Sequence, residues 1–295
     1  MSIHSLQASN VRRILNKGTR IRTINWKPAV GLLLALGPLV LGLVGRLVIS
    51  QQGLRLGMSL PDQPPSRDHL LGTESTGRDL LAMVVYGTPT SLEIGLIAGG
   101  VGTVFGAIFG LVSGYYRGVV DVLFRGAADV MLGIPSLAVL IVISSLMGQT
   151  TVEAMALIIA NISWPGPARA IRAQVLSLRE QSFVSMCKLS GRSGFRIMFQ
   201  EILPNLLPYV LAGFVGSVYG GIVASVGLQL LGLGQFTMPT LGLIMQTALG
   251  EGAIPRGMWW WSPPTVVLVL VFSALFLISI GLDEVANPRL RGTAR

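Results

Sequence analysis

Charged residues, cysteine and histidine are all scarce in this sequence. Only 12% of its 295 residues are charged, whereas an ordinary soluble domain carries about 25%. The single cysteine, Cys187, excludes an intrachain disulfide. The two histidines, His4 and His69, form no zinc or haem ligand set. We therefore expect neither a metal site nor a cofactor held by this chain.

The sequence also lacks the residue patterns of several functional classes. It contains no GxxxxGK[ST] phosphate-binding sequence, so we do not expect this chain to hydrolyse ATP. An intramembrane enzyme needs a serine–histidine set or paired carboxylates at membrane depth, and an ion channel needs a selectivity filter or a charged ring. The apolar runs of this chain contain none of these patterns. Both classes are distant alternatives, and we expect no catalytic residues.

Uncharged apolar sequence is abundant instead. Hydrophobic residues make up 51% of the chain, and the mean hydropathy is +0.67. A bilayer core of ~30 Å needs about 20 such residues in a helix, because backbone polar groups must be satisfied internally there. The sequence therefore predicts an all-α integral membrane protein with about six transmembrane helices, drawn from the runs 28–45, 94–116, 130–152, 154–168, 202–250 and 257–282.

The run 202–250 is long enough for two spans, but its second half is polar. Gln229, Gln235 and Gln246, together with Pro239, favour an extracytoplasmic loop over 228–262 after a single span. A seventh span remains an alternative. It would place the basic C-terminal tail outside the cell, against the usual distribution of Lys and Arg.

The basic residues predict the orientation. Residues 1–27 contain six basic and no acidic residues, and the segment after the fourth run is also rich in Lys and Arg. Cytoplasmic loops carry this excess. We expect a multi-pass protein of the cytoplasmic (inner) membrane, with both termini cytoplasmic. The net charge of +9 then reflects orientation in a lipid membrane and not nucleic-acid binding. The predicted segments are a tail at 1–27, a first span at 28–49, an extracytoplasmic segment at 50–90, a core domain with spans two to six at 91–282, and a tail at 283–295.

The segment 178–205, between the fourth and fifth spans, is too polar to cross the membrane. Phe183, Met186 and Cys187 recur at helical spacing and predict one apolar stripe. Gly191 is suited to ending that helix, and Ser193 is suited to capping the next. In the second helix apolar residues recur at Phe195, Met198, Phe199, Ile202 and Leu203, and Pro204 ends the helix or begins the membrane span. From the pattern alone, a hairpin lying on the bilayer surface is an open alternative.

Gly191, followed by Ile202-Leu203-Pro204-Asn205, resembles the glutamate-alanine-alanine loop of ABC importer permeases, which ends in glycine and an I-L-P-N sequence. The resemblance implies a coupling helix that docks on an ATPase subunit. The implied coupling residues are Phe183, Ser185, Met186, Cys187, Gly191 and Phe195. Ser185-Met186-Cys187 replaces the family's triplet, so a contact made by the family's glutamate is not expected here.

A second block, Leu70 to Leu96, resembles the C-type permeases of peptide and nickel importers. Further similarities are Gly114-Tyr115, Pro135-Ser136, Leu231-Gly232-Leu233-Gly234 and Asn287-Pro288-Arg289. The resemblance implies a permease that pairs with a second homologous permease, two ATPase subunits that bind Mg-ATP, and an extracytoplasmic substrate-binding protein.

The substrate is left open between two classes. The family resemblance implies a peptide, whereas Gly257-Met258-Trp259-Trp260-Trp261 resembles the branch of the family that carries oligosaccharides. An interfacial aromatic belt also explains this triplet. Glu93 and Asn161, polar residues within predicted spans, are candidates for the substrate path, with helix capping or interhelical hydrogen bonding as their alternatives.

Overall fold

The computed structural model describes residues 26–148, 151–234 and 238–286. The predicted basic tail 1–27 and the end of the C-terminal tail lie almost entirely outside these residues, as do Gln235 and Asn287-Pro288-Arg289. The described helices are α1 (Trp26–Val48), α2 (Leu80–Tyr116), α3 (Gly118–Gly133), α4 (Ser136–Met147), α5 (Val152–Ser163), α6 (Pro165–Arg179), α7 (Ser182–Leu189), α8 (Gly194–Leu230), α9 (Leu241–Gly250) and α10 (Ser262–Ala286).

Four helices of the described chain, α1, α2, α8 and α10, are long and apolar enough to cross a membrane. The pair α3 and α4 forms a fifth candidate if its 80° bend lies within one span. The prediction of an all-α membrane protein is confirmed. The number six remains a prediction, because α5 and α9 are apolar but shorter than a full span.

Helix α2 is the centre of the bundle because its glycines let other helices approach closely. Gly95 and Gly99 pack against Val218 of α8, and Gly106 and Gly110 pack against Ala168 of α6. A Cβ at these glycines would meet backbone atoms of the neighbouring helix. This small-residue spacing is the one that brings membrane helices together, and here it serves packing within the chain.

Helix α2 begins at Leu80, eleven residues before the predicted core domain. Asp79 caps it by accepting a hydrogen bond from the Ala82 backbone N–H at 2.8 Å. The predicted second span began after Glu93, because it was taken from the charge-free run 94–116. Glu93 lies on the surface of the helix and does not interrupt it.

The predicted third and fourth spans are differently arranged. The run 130–152 contains the break between α3 and α4, at Ile134 and Pro135, because proline cannot continue a helical hydrogen-bond ladder. The run 154–168 is divided between α5 and α6, with Trp164 at the junction. Helix α6 then carries the chain through the predicted basic segment as far as Arg179.

The predicted extracytoplasmic loop 228–262 is partly helical. Helix α8 continues to Leu230, and α9 occupies Leu241–Gly250. A buried polar network holds α9 against the bundle: Thr240 donates to Gln229 at 2.7 Å, and the Leu241 N–H donates to Ser91 at 2.9 Å. Gln229, one of the polar residues that suggested a loop, is therefore buried with hydrogen-bond partners, which is what burial of such a group requires.

Contacts of α1 provide a scale of depth for the other helices. Gly42 and Gly45 pack against Pro89 and Val85, so α1 and α2 run antiparallel. At the other end of α1, Lys27 pairs with Glu284, so α10 ends where α1 begins. Because helices rise about 1.5 Å per residue, residues near 103 of α2 lie level with the start of α1.

Candidate functional site: a helical hairpin between α6 and α8

Helix α7 and the first turns of α8 form a hairpin at the end of the bundle. Ser193 caps α8 by accepting a hydrogen bond from the Arg196 N–H, as predicted. Beyond Arg196 the helix passes through a π turn, Ile197–Ile202, and then continues as α-helix. Pro204 therefore does not end the helix. It follows the π turn directly, where the hydrogen-bond ladder already departs from the α pattern.

The turn of the hairpin is a Schellman motif. The Gly191 N–H donates to the Lys188 carbonyl at 3.0 Å, and the Arg192 N–H donates to the Cys187 carbonyl at 3.2 Å. Gly191 has φ +73°, the left-handed conformation that this motif requires. The predicted glycine turn is therefore present, and its bonds give the hairpin a defined shape.

The inner face of the hairpin is anchored in the bundle. Val184, Ile197, Met198 and Ile202 are buried in one cluster with Leu111, Tyr115, Ile171 and Val175 of α2 and α6. Phe183 and Cys187 pack partly against this cluster. Arg179 donates to the Tyr115 carbonyl at 2.6 Å and fixes the end of α6 beside the hairpin.

The outer face of the hairpin is apolar and exposed. Leu189 is 89% exposed and Phe195 is 64% exposed, and Met186 and Phe199 are also exposed. The rings of Phe195 and Phe199 lie 4.5 Å apart, centroid to centroid. We call Met186, Leu189, Phe195 and Phe199 the outer apolar face.

The structure corrects the predicted stripe. Phe183 and Cys187 point inward while Met186 points outward, so these three residues do not form one face. Of the other predicted coupling residues, Ser185 is exposed and Gly191 forms the turn. Leu189 is not among the coupling residues predicted from the sequence. Its position three residues after Met186, at helical spacing, is the signal that could have found it.

The predicted motif end, Ile202 to Asn205, is a structural element at the base of the hairpin. Ile202 is fully buried, Leu203 is half-buried, and Pro204 and Asn205 are exposed. The Asn205 side chain donates to the Glu201 carbonyl at 2.6 Å. These contacts stabilise the π-to-α junction of α8.

Ion pairs connect the hairpin's supporting helix to α3. Arg172 of α6 donates to Asp121 of α3, with one N–O distance of 2.6 Å, and Arg169 pairs with Asp129. Arg117 pairs with Glu180 at 2.7 Å, just before α7. The hairpin is thus joined through α6 to the bent pair α3 and α4.

At the opposite end of the bundle, the tryptophan triplet packs against the predicted extracytoplasmic segment 50–90. Trp260 is 1% exposed and belongs to the core, and Trp259 donates its indole N–H to the Leu71 carbonyl at 2.7 Å. Arg256 pairs with Asp62 at 2.7 Å and lies over the Trp260 ring. Two of the three tryptophans are therefore used in packing, and Trp261 alone of the triplet is exposed.

The two predicted substrate-path residues lie away from the hairpin. Glu93 is exposed in an apolar groove of about 380 Å³ between α1 and α2, lined also by Pro38, Leu43 and Pro89. It has no ion-pair partner within the ranges 26–148, 151–234 and 238–286. Asn161 is exposed on α5.

Four membrane-length helices, a bent helix pair and a hairpin with an apolar outer face define a polytopic membrane protein. The family model for the inner membrane component of binding-protein-dependent transport systems matches residues 103–292. This chain belongs to that family, which confirms the resemblance to ABC importer permeases.

Three relatives illustrate the similarity. The oligopeptide transport system permease protein OppC of Lactococcus lactis subsp. lactis is 33% identical over 77% of this chain and 77% of its own length. The dipeptide transport system permease protein DppC of Alkalihalophilus pseudofirmus is 31% identical over 89% and 86%. DppC of Bacillus subtilis is 30% identical over 88% and 81%.

Proposed function

We propose that this chain is a permease subunit of an ATP-driven ABC importer and forms half of the translocation pathway for peptides. Family membership supports the transport role, and the names of the relatives, oligopeptide and dipeptide permeases, support the substrate class. The chain acts as a transport subunit and not as an enzyme. Its partners are a second homologous permease, two ATPase subunits that bind Mg-ATP, and an extracytoplasmic binding protein. It lies in the cytoplasmic membrane with both termini inside.

The outer apolar face is the proposed docking surface for an ATPase subunit. Leu189 and Phe195 are exposed on a hairpin whose other side is fixed by Val184 and Ile202. Large apolar side chains held in water by a rigid support are typical of interaction surfaces. This is the single observation that most directly supports ATP coupling.

Movement of the hairpin reaches the spans through packed contacts. An ATPase that closes on Mg-ATP displaces α7, and α6 and α8 flank α7 directly. The pairs Arg172–Asp121 and Arg169–Asp129 then carry the displacement of α6 to α3. Switching access from one side of the membrane to the other needs structural elements that have two arrangements, and ligands shift the balance between them. The break between α3 and α4 provides a hinge for this change.

Cross-linking tests the docking assignment. Leu189→Cys is placed in a Cys187→Ser background, the chain is co-expressed with the neighbouring ATPase genes, and thiol cross-linking is measured with and without Mg-ATP. We expect a cross-link to an ATPase subunit whose yield changes with nucleotide. The control is Leu47→Cys, an exposed residue at the far end of α1. Leu47→Cys should not cross-link to the ATPase. If Leu189→Cys does not cross-link to it either, the hairpin is a bilayer-surface element instead.

Glu93 is the stronger of the two proposed substrate-path residues. Counting from the Gly42–Pro89 contact, Glu93 lies level with Pro38, near the middle of α1. A carboxylate facing hydrocarbon at that depth is expensive. We therefore propose that the side of α2 that carries Glu93 faces the water-filled path or the partner permease. Glu93→Gln is expected to change the peptide KM while the assembled complex still forms.

A peptide is favoured over an oligosaccharide. The oligosaccharide alternative came from the resemblance at 257–261, supported by the ability of tryptophan to stack on sugars. Trp259 and Trp260 are engaged in packing, which removes that support from two of the three tryptophans. The relatives are named for oligopeptides and dipeptides.

A further inference from the structure

A cavity of about 250 Å³ lies where α2, α6, α8 and α10 meet. Thr103, Tyr209, Ser279 and Asp283 supply its polar groups. The cavity shares Gly216 and Ser279 with a second, more apolar cavity of about 330 Å³ between α8 and α10. The two cavities therefore form one groove with a polar end and an apolar end.

The polar end contains groups that need a partner. Thr103 is 4% exposed, and its hydroxyl has no hydrogen-bond partner in the part of the chain that the structure describes. The hydroxyls of Thr88 and Thr90, on the same helix, donate to the backbone carbonyls four residues earlier. Thr103 differs from these two threonines because it makes no such bond. Asp283 makes no ion pair with any described residue either. A buried hydroxyl without a partner carries a free-energy cost.

The groove matches the depth profile of a phospholipid. Asp283 is adjacent to Glu284, which pairs with Lys27 at the start of α1, so the polar end lies at the membrane interface. Phe276 and Phe272 line the apolar end and lie seven and eleven residues earlier on α10. At 1.5 Å per residue they are about 10–16 Å deeper in the bilayer, where acyl chains lie.

We propose that this groove binds a phospholipid whose headgroup carries a primary ammonium group, in the leaflet nearest the start of α1. The ammonium group donates to the Asp283 carboxylate and to the lone pairs of the Thr103 and Tyr209 hydroxyls. One acyl chain follows the apolar walls formed by Val215, Phe272 and Phe276. A phosphatidylcholine headgroup has no N–H to donate, and an anionic headgroup meets a carboxylate.

Lipid retention by the full chain tests the proposal. The protein is reconstituted in nanodiscs of phosphatidylethanolamine, phosphatidylcholine and phosphatidylglycerol, and retained lipids are counted by native mass spectrometry. We expect wild type to prefer phosphatidylethanolamine over phosphatidylcholine by about fivefold, which corresponds to about 1 kcal/mol. Asp283→Asn should remove most of the preference, and Thr103→Val should reduce it.

Glu284→Gln is the matched control, because Glu284 has the same charge and depth but does not line the cavity. It should keep the preference, and equal melting temperatures would show that all variants fold. Equal retention of the two lipids by wild type, or an unchanged preference in Asp283→Asn, would overturn the proposal. Displacement of the lipid by a soluble tripeptide at millimolar concentration would also overturn it and assign the cavity to transported substrate. None of these outcomes depends on transport activity.

Discussion

Replacing Gly191 tests whether the hairpin needs its left-handed turn. Its φ is +73°, and no described atom lies within 4 Å of a Cβ placed on it. Gly191→Ala therefore adds backbone strain of about 1–2 kcal/mol without a steric clash. The strain is released when the turn opens, so the local opening equilibrium of the Schellman motif should shift about five- to thirtyfold toward the open form.

Hydrogen exchange at the Arg192 amide measures this opening, because that N–H is bonded to the Cys187 carbonyl in the motif. We expect exchange at Arg192 to accelerate by the same five- to thirtyfold factor, and Gly191→Asn to show a smaller effect because asparagine tolerates this conformation. Gly126→Ala is the matched control: Gly126 lies inside α3, again with open space around a Cβ, and alanine should stabilise that helix. Unchanged exchange in Gly191→Ala, or equal acceleration throughout the bundle, would show that the turn does not depend on the left-handed conformation of Gly191.

The remaining predictions concern the outer apolar face, the tryptophan triplet and the groove carboxylate. Phe195→Ala should weaken ATPase binding about five- to thirtyfold, because burying its 64% exposed surface contributes about 1–2 kcal/mol. Leu47→Ala should leave the affinity unchanged, and equal affinities in a titration of both variants would contradict this. Trp259→Phe should lower the free energy of unfolding by about 1 kcal/mol, because the hydrogen bond to the Leu71 carbonyl is lost. Its substrate preference should not change, and a switch in preference measured by competition would reopen the oligosaccharide hypothesis. Glu93→Gln should alter the peptide KM with an unchanged melting temperature, and unchanged transport kinetics would remove it from the path.

The sequence was sufficient for the class of the fold and for the local structure of the hairpin. Charge-free runs predict membrane helices because hydrocarbon excludes both charges and unpaired backbone groups. Gly191 and Ser193 were assigned correctly because turns and caps depend on local backbone chemistry. These features need no knowledge of the neighbouring helices.

The sequence-based predictions were wrong where packing between helices determines which way a side chain points or where a helix begins. Both sides of α7 carry apolar residues, so periodicity could not tell that Val184 points into the bundle while Leu189 points out. The charge at Glu93 suggested a boundary, but α2 continues past it because the side chain lies on the helix surface. The sugar-site alternative stayed open for a related reason, because only contacts such as the Trp259–Leu71 hydrogen bond show that Trp259 and Trp260 are used in packing.

Substrate uptake by the reconstituted complex is the most direct test of the central claim. The chain, its partner permease and the two ATPase subunits are placed in proteoliposomes, and the binding protein is supplied on the opposite side. Accumulation of a labelled peptide is then compared with that of a labelled oligosaccharide. We expect the peptide to accumulate only with ATP and binding protein, and we expect Phe195→Ala to slow both peptide uptake and the associated ATP hydrolysis. Uptake of the oligosaccharide alone, or peptide uptake that persists without ATP, would contradict it.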